Sequence, residues 1–104
     1  MIIWSRKLYV DESIKKRLRR TKRLLEQNKG DIFTYCIVLS ENENNLFDIL
    51  SGLELRFSYY KNRENVVVGL AHDKESAVSL VAGIVEEIYG QTGEINVKQF
   101  FQWI

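Results

Sequence analysis

The sequence predicts an α/β fold in which helices cover a small, mainly parallel sheet of about three strands, in the order β-α-β-α-β-α-α. Two apolar stretches support this prediction. Residues 32–39 (IFTYCIVL) contain Thr34 as their one polar interruption, and residues 66–71 (VVVGLA) repeat the pattern. Such runs are typical of strands buried on both faces, and the helical pattern between them predicts a right-handed crossover that would make them parallel.

An edge strand and then a basic helix are predicted for the amino-terminal region. Residues 1–10 contain two apolar clusters, which favour a short strand at the edge of the sheet. Asp11 or Ser13 suits the N-cap of the following helix, which we expect to run to about Asn28. Gly30 is expected to supply the positive φ at its C-terminal end. The apolar stripe of this helix comprises Ile14, Leu18, Thr21, Leu24 and Leu25.

The segment from Leu46 to Tyr60 fits two interpretations. Its apolar residues have helical spacing, yet residues 53–59 also alternate as those of a strand would. We favour two helical pieces that meet near Gly52, because the two buried strands need a crossover between them. In the alternative, the segment forms a strand that makes a hairpin with residues 66–71.

Two further helices are predicted after the second buried strand. Asp73 suits the N-cap of a long helix that ends near Tyr89, where glycines follow. Asn96 is placed to cap a short final helix over residues 97–104. A long helix with a wide apolar face is expected to lie flat on the sheet.

Length and composition indicate one domain spanning residues 1–104. Hydrophobic residues make up 45% of the chain, which is enough for a core, and the 28% of charged residues argues against disorder. The one cysteine, Cys36, excludes an intrachain disulfide and is expected to be a small buried hydrophobic residue. The sequence also shows no secretory signal and no apolar run long enough to span a bilayer, so we expect a cytoplasmic protein with no membrane partner.

Positive charge is concentrated near the amino terminus. Residues 1–30 contain ten Lys and Arg against three Asp and Glu, a net charge of +7. Residues 31–104 contain five against eleven, a net charge of −6, so the whole chain carries +1. Such asymmetry within a chain is one of the few compositional signs of a charged partner.

The predicted basic helix is the strongest candidate for a nucleic-acid-binding surface. Its cations would pair with phosphates without reading sequence, and Trp4 and Tyr9 lie near enough in the chain to stack on bases. Alternatively, the cations are solvated or paired with acidic neighbours such as Glu86 and Glu87. The candidate phosphate-binding residues are Lys15, Lys16, Arg19, Arg20, Lys22 and Arg23, with Arg6 and Lys7 beside them.

Polar residues follow both predicted buried strands. The carboxyl ends of parallel strands meet at one edge of a sheet, so these residues would form a rim that binds a small polar ligand. In this rim, His72 would act as an acid or base beside a carboxylate. Alternatively, Asp73 and its neighbours are helix caps and solvated loop residues. The rim residues are Ser40, Glu41, Asn42, Asn44, His72 and Asp73.

The aromatic residues Phe100, Phe101 and Trp103 predict either the interface of a homodimer or a cap on the core. The sequence contains no established motif for phosphate binding, dinucleotide binding, hydrolysis or metal coordination, and we expect no metal and no cofactor. The leading hypothesis is therefore a non-catalytic binding protein. The alternative is a small-molecule-binding protein or a hydrolytic enzyme that uses the rim.

Five short stretches distinguish the chain as a whole. They are residues 4–10 (WSRKLYV), 44–46 (NNL), 59–60 (YY), 67–71 (VVGLA) and 88–93 (IYGQTG). In these stretches the chain resembles a group of short uncharacterised bacterial α/β proteins of about this length. The resemblance implies a compact bacterial protein, and it implies no activity, cofactor or site residue.

Overall fold

Four strands form one sheet in the computed structural model, which describes residues 1–42 and 45–102. The strands are β1 (Ile2–Val10), β2 (Tyr35–Leu39), β3 (Phe47–Ser51) and β4 (Asn65–Ala71), in the spatial order β1-β4-β2-β3. β1 runs parallel to β4, whereas β2 is antiparallel to both β4 and β3. The fold is therefore mixed α/β as predicted, but the prediction of about three, mainly parallel strands is wrong.

Within the described ranges, five α-helices cover both faces of this sheet. They are α1 (Glu12–Lys15), α2 (Leu18–Glu26), α3 (Ser58–Lys61), α4 (Lys74–Thr92) and α5 (Val97–Gln102). Ile14 of α1 and Leu25 of α2 are buried in the core on one face of the sheet. Ile84 and Val97 bury α4 and α5 in a second core on the other face. The sheet thus separates two helical layers, each with its own apolar core.

The segment that we expected to begin as a helix forms β3 instead. β3 pairs with β2 in a hairpin that places Phe47 opposite Leu39 and Ser51 opposite Tyr35. In a segment this short, apolar spacing fits a helix and a strand equally well, so pairing with β2 decides the outcome. Because the hairpin reverses the chain, β2 and β4 become antiparallel neighbours. The alternative strand over residues 53–59, paired with residues 66–71, is also wrong, because residues 54–56 form a 3₁₀ turn and α3 begins at Ser58.

The helical crossover lies one strand later than predicted, between β3 and β4. After Gly52 the chain forms a 3₁₀ turn (Glu54–Arg56) and then α3. Leu55 and Tyr60 pack into the core on the α1–α2 side. The second of the two predicted helical pieces is therefore present, although it is divided into these two short elements.

The predicted basic helix is divided into α1 and α2. Arg17 has φ −135° and ψ 30°, which interrupts the helix between them. Asp11 is the N-cap of α1, because its Oδ1 accepts a hydrogen bond of 2.8 Å from the backbone N–H of Ile14. The positive φ at the end of α2 belongs to Asn28 and not to Gly30. Gly30 is needed for another reason, because a Cβ there would lie 2.7 Å from Cα of Gly52.

The remaining predicted elements differ from the structure mainly at their ends. β2 begins at Tyr35 instead of residue 32, and Phe33 lies 64% exposed in the preceding loop. Asp73 caps α4 as predicted, and the helix continues past Tyr89 to Thr92 before Gly93 ends it with φ 73°. β1 has an irregularity between Trp4 and Tyr9, where its register with β4 shifts.

Candidate functional site

The predicted phosphate-binding cations lie on the outer surface of α1 and α2. Lys15 pairs with Glu12 at 3.1 Å, and Nζ of Lys22 lies 5.0 Å from the centroid of the Trp4 ring. The other four make no ion pair or cation–π contact with any residue in the ranges 1–42 and 45–102. We call these four exposed residues the basic face: Lys16, Arg19, Arg20 and Arg23.

The acidic residues proposed as partners for these cations lie on the other side of the sheet. Glu87 is on α4, where it accepts a hydrogen bond of 2.8 Å from Lys7 and another from the hydroxyl of Tyr9. The hydrogen bond to Lys7 is the main reason that the pKa of Glu87 lies below its usual value. Pairing of the basic face with Glu86 or Glu87 is therefore wrong, because the sheet separates α4 from α1 and α2.

Of the two aromatic residues predicted to stack on bases, one lies beside the basic face. The indole Nε1 of Trp4 donates a hydrogen bond of 2.9 Å to Glu26 on α2. Tyr9 faces the α4 side of the sheet, where it packs with Phe101 at a centroid distance of 6.1 Å. Tyr9 therefore cannot share a nucleic-acid ligand with the cations of α2.

The predicted rim does not exist as one site. Because β2 and β4 are antiparallel, their carboxyl ends lie at opposite ends of the sheet. Ser40, Glu41 and Asn42 therefore lie at one end, and His72 and Asp73 lie at the other. The remaining predicted rim residue, Asn44, lies outside the residues that the structure describes.

The Ser40 end of the rim is a turn with its own internal contacts. Ser40 is 1% exposed, and its Oγ accepts a hydrogen bond of 3.1 Å from the backbone N–H of Asn42. Glu41 forms an ion pair with Arg63, which lies just before β4. These residues line a cleft of about 200 Å³, but their polar groups already hold the turn together.

At the other end, β1 and β4 bring three titratable side chains together. Oδ2 of Asp11 accepts a hydrogen bond of 2.8 Å from the backbone N–H of His72 and lies 2.6 Å from its Nδ1. Nε2 of His72 lies 3.3 Å from Oδ2 of Asp73. This cluster depends on the parallel pairing of β1 with β4, which places Val10 beside Leu70.

The Asp11–His72–Asp73 cluster favours a protonated imidazole. The hydrogen bond to Asp11 is the main reason that the pKa of His72 lies above 6.5. Burial is the largest influence on Asp11 and acts to raise its pKa, but hydrogen bonds from Ile14 and His72 outweigh it, so the pKa lies below 3.8. Because both ring nitrogens face carboxylates, the cluster resembles an ion-paired link between strand ends more than a general base.

The aromatic tail packs within the fold as far as the structure describes it. Phe100 is 9% exposed, and the Phe101 ring packs edge-on against Phe100 and Phe47 at centroid distances of 5.2 and 6.3 Å. These contacts agree with the interpretation of the tail as a cap on the core. Trp103 lies outside the described residues, and the homodimer stays a prediction.

Cys36 is fully buried in β2, and burial raises the pKa of its thiol to about 12. A thiol in this state is a poor nucleophile. In the part of the chain that the structure describes, no three His, Cys, Asp or Glu side chains form a group suited to a metal ion. No helix among the described residues has the length and apolar character needed to cross a membrane.

Two participants in these clusters were not predicted from the sequence. Asp11 was identified as a helix cap, but its contact with His72 joins residues 61 positions apart and has no local signal. Glu87 was proposed as a partner for the basic helix, whereas it binds Lys7 of β1. Both contacts depend on which strands are neighbours, which the sequence pattern did not reveal.

Comparison of the chain with protein-family models, with curated protein sequences and with solved structures finds no match.

Proposed function

We propose that this protein is a non-catalytic binding protein that contacts the phosphate backbone of nucleic acid through its basic face. The observation that supports the proposal is the set of four exposed cations, one at the C-cap of α1 and three on α2, without an ion-pair partner in the described part of the chain. We also propose a cytoplasmic location, which is consistent with the buried, unpaired thiol of Cys36.

The arrangement of the basic face suits a polyanion. Arg23 lies four residues after Arg19 and three after Arg20, and residues at these spacings are neighbours on a helix surface, so the three guanidinium groups lie close together on α2. Arginine forms two parallel hydrogen bonds to a phosphate, which makes it a better phosphate ligand than an isolated point charge.

The acidic side chains of α4 do not neutralise the basic face, because the sheet lies between them. The net charge of the chain is only +1, but the acidic residues of α4 lie on the opposite layer. Solvent ions screen charges over about 10 Å at 0.1 M salt, so a ligand at the basic face experiences mainly the cations of α1 and α2. Contacts of this type carry no sequence information, so we expect binding without sequence preference.

The test is fluorescence anisotropy of labelled random single-stranded and double-stranded oligonucleotides, measured across a salt series. We expect an affinity that falls steeply with salt, because bound cations release counterions from the phosphates. Replacing Arg19, Arg20 and Arg23 by Gln should abolish binding at physiological salt. It should also flatten the logarithmic salt slope by about 0.9 for each duplex phosphate that is no longer neutralised.

A matched variant controls for net charge. Lys61, Lys74 and Lys98 are exposed and lie outside α1 and α2, and replacing them by Gln removes the same three charges. We expect this variant to bind nearly as well as the wild type. Equal loss in both variants would show that binding follows net charge alone, and no binding at low salt would exclude nucleic acid as the ligand.

A second candidate function starts from the contact of 2.6 Å between Asp11 and Nδ1 of His72, and it requires that substrate displace Asp73 from Nε2, which lies 3.3 Å away. In some hydrolytic enzymes a carboxylate orients a catalytic imidazole in this way. This candidate requires His72→Gln to abolish turnover of an ester or phosphoester substrate without unfolding the protein. An unchanged rate in the variant would exclude it.

A further inference from the structure

A narrow cleft separates α2 from the segment that follows it. Its volume is about 140 Å³, which is room for several water molecules and hence for one tetrahedral oxyanion. One wall is a single side of α2, and the other is the segment that leads into β2. We call it the α2 cleft, and it is lined by Arg17, Arg20, Thr21, Leu24, Leu25, Lys29, Gly30, Asp31 and Thr34.

The charged groups of the α2 cleft are mostly positive. The lining includes three cations, Arg17, Arg20 and Lys29, and one carboxylate, Asp31, so its formal net charge is +2. Oδ1 of Asp31 accepts a hydrogen bond of 2.9 Å from the backbone N–H of Phe33. Arg20 and Lys29 make no side-chain hydrogen bond or ion pair with the described residues. Their donors are thus available to a ligand.

Two hydroxyl groups in the same cleft lack partners. Thr21 is 5% exposed and Thr34 is 7% exposed, and neither hydroxyl forms a hydrogen bond with another residue of the described ranges. Among the described residues, Ser5 carries the one buried side-chain oxygen without a partner, so the hydroxyls of Thr21 and Thr34 still reach the solvent of the cleft and are open to a ligand. Their position in the lining of a basic cleft points to an acceptor-rich ligand.

Hydrogen bonds and one close packing of backbone hold the walls of the cleft in place. Nη2 of Arg17 donates to the carbonyl of Phe33 at 3.4 Å and joins the two walls. The backbone N–H of Lys29 donates to the carbonyl of Leu24 at 2.8 Å, which fixes the turn after α2. Close packing of Gly30 on Gly52 anchors the next residues to the end of β3. The cleft is therefore preformed.

We propose that the α2 cleft binds a phosphate monoester dianion. A monoester carries a charge of about −1.5 to −2 at pH 7, which matches the charge of the lining, and its three free oxygens are strong acceptors. Arg17, Arg20 and Lys29 neutralise the charge, and the hydroxyls of Thr21 and Thr34 donate to the remaining lone pairs. This site goes beyond the proposed function, which concerns the exposed basic face and shares with it only Arg20.

Inorganic phosphate, titrated into the isotope-labelled full-length protein, tests the site directly. We expect saturable shifts of the backbone amide resonances of Gly30, Asp31 and Thr34. Lys29→Gln should weaken binding by about tenfold, because it removes a charged donor. Thr34→Val should weaken it as well. Lys74→Gln removes an exposed charge on α4, outside both the cleft and the basic face, and should leave phosphate affinity within about twofold.

The source of the phosphate group is distinguished by a second titration. One oligonucleotide is compared with and without a 5′-phosphate, alongside a nucleoside monophosphate. A preference for the phosphorylated oligonucleotide that Lys29→Gln removes would assign the site to nucleic-acid ends, and equal affinity for the monophosphate would assign it to a small phosphorylated molecule. No saturable shift with any of these ligands, or equal weakening by Lys29→Gln and Lys74→Gln, would overturn the proposal.

Discussion

Lys7, on the α4 side of the sheet, and the basic face, on the α1–α2 side, differ in whether their charges have partners. On the α4 side, Lys7 binds Glu87 and lies 5.2 and 5.7 Å from the ring centroids of Tyr9 and Phe100. On the α1–α2 side, the four residues of the basic face have no such partners in the described ranges. Cations from the same basic stretch, residues 1–30, are thus paired on one side of the sheet and unpaired on the other, so net charge alone is a poor guide to what a surface can bind.

The largest expected effect comes from removing a core side chain in each layer. Ile14 and Ile84 are both 0% exposed, on opposite faces of the sheet. Ile14→Ala and Ile84→Ala should each lower the free energy of unfolding by about 2–5 kcal/mol, because apolar burial is reduced and a cavity is left behind. Urea denaturation followed by circular dichroism measures both.

Val78→Ala provides the control for this pair, because Val78 is on α4 and 53% exposed. Its free energy of unfolding should stay within about 0.5 kcal/mol of the wild-type value. If either isoleucine variant behaves like this control, the layer that contains it does not stabilise the sheet as its packing indicates.

A smaller effect distinguishes the glycines of the two layers. Gly30→Ala places a Cβ 2.7 Å from Cα of Gly52 and should cost about 1–3 kcal/mol, because backbone must move. Gly83 lies inside α4, where an added Cβ would meet no atom within 4 Å, so Gly83→Ala should stabilise by about 0.5–1 kcal/mol. The thermal denaturation midpoints should shift in opposite directions. A higher midpoint for Gly30→Ala would contradict the close approach of Gly30 and Gly52, and a lower one for Gly83→Ala would contradict the open space at Gly83.

The smallest effect concerns pH and the two aspartate caps. Asp11→Asn keeps a capping side chain but removes the charge that His72 faces. Because the folded-state pKa of His72 is raised above 6.5, this contribution to stability is complete below pH 6.5 and is lost as pH rises through the raised value. It is also lost in acid, as pH falls below 3.8 through the lowered pKa of Asp11.

The free energy of unfolding should therefore differ most between the wild type and Asp11→Asn at intermediate acidity, between these two limits. Urea denaturation at a series of pH values measures this difference. Asp73→Asn is the matched variant on α4, and its difference from the wild type should be smaller, because Asp73 lies 3.3 Å from His72 where Asp11 lies 2.6 Å away. If the difference in unfolding free energy between the wild type and Asp11→Asn does not vary with pH, the ion pair between Asp11 and His72 is not its cause.

Local signals in the sequence predicted the elements that need no distant partner. The buried run before Ala71 became β4, and Asp73 and Gly93 fix the ends of α4 as N-cap and positive-φ residue. Asp11 was one of two caps considered for the basic helix, and the structure selects it. These features depend on hydrogen bonds between residues a few positions apart.

Features that depend on strand neighbours could not be predicted in this way. The apolar residues of β3 fit two periodicities, and only pairing with β2 decides between them. Because a helix is predicted where β3 lies, β2 and β4 are expected to be parallel, whereas they are antiparallel. For the same reason one rim is expected, whereas its residues lie at opposite ends of the sheet. The four residues of the basic face are among the six that the sequence predicts to bind phosphate, but their separation from Glu87 follows from the sheet between the layers.

The position of β4 has a consequence for synthesis of the chain. β4 is the last strand to be made, yet it lies between β1 and β2. On the ribosome the hairpin of β2 and β3 can form as soon as both strands emerge, since its pairing is local. β1 emerges first but has no neighbour in the sheet until Asn65–Ala71 has been translated. Until β4 has emerged, the nascent chain therefore carries an unpaired strand, which exposes it to aggregation and to chaperones.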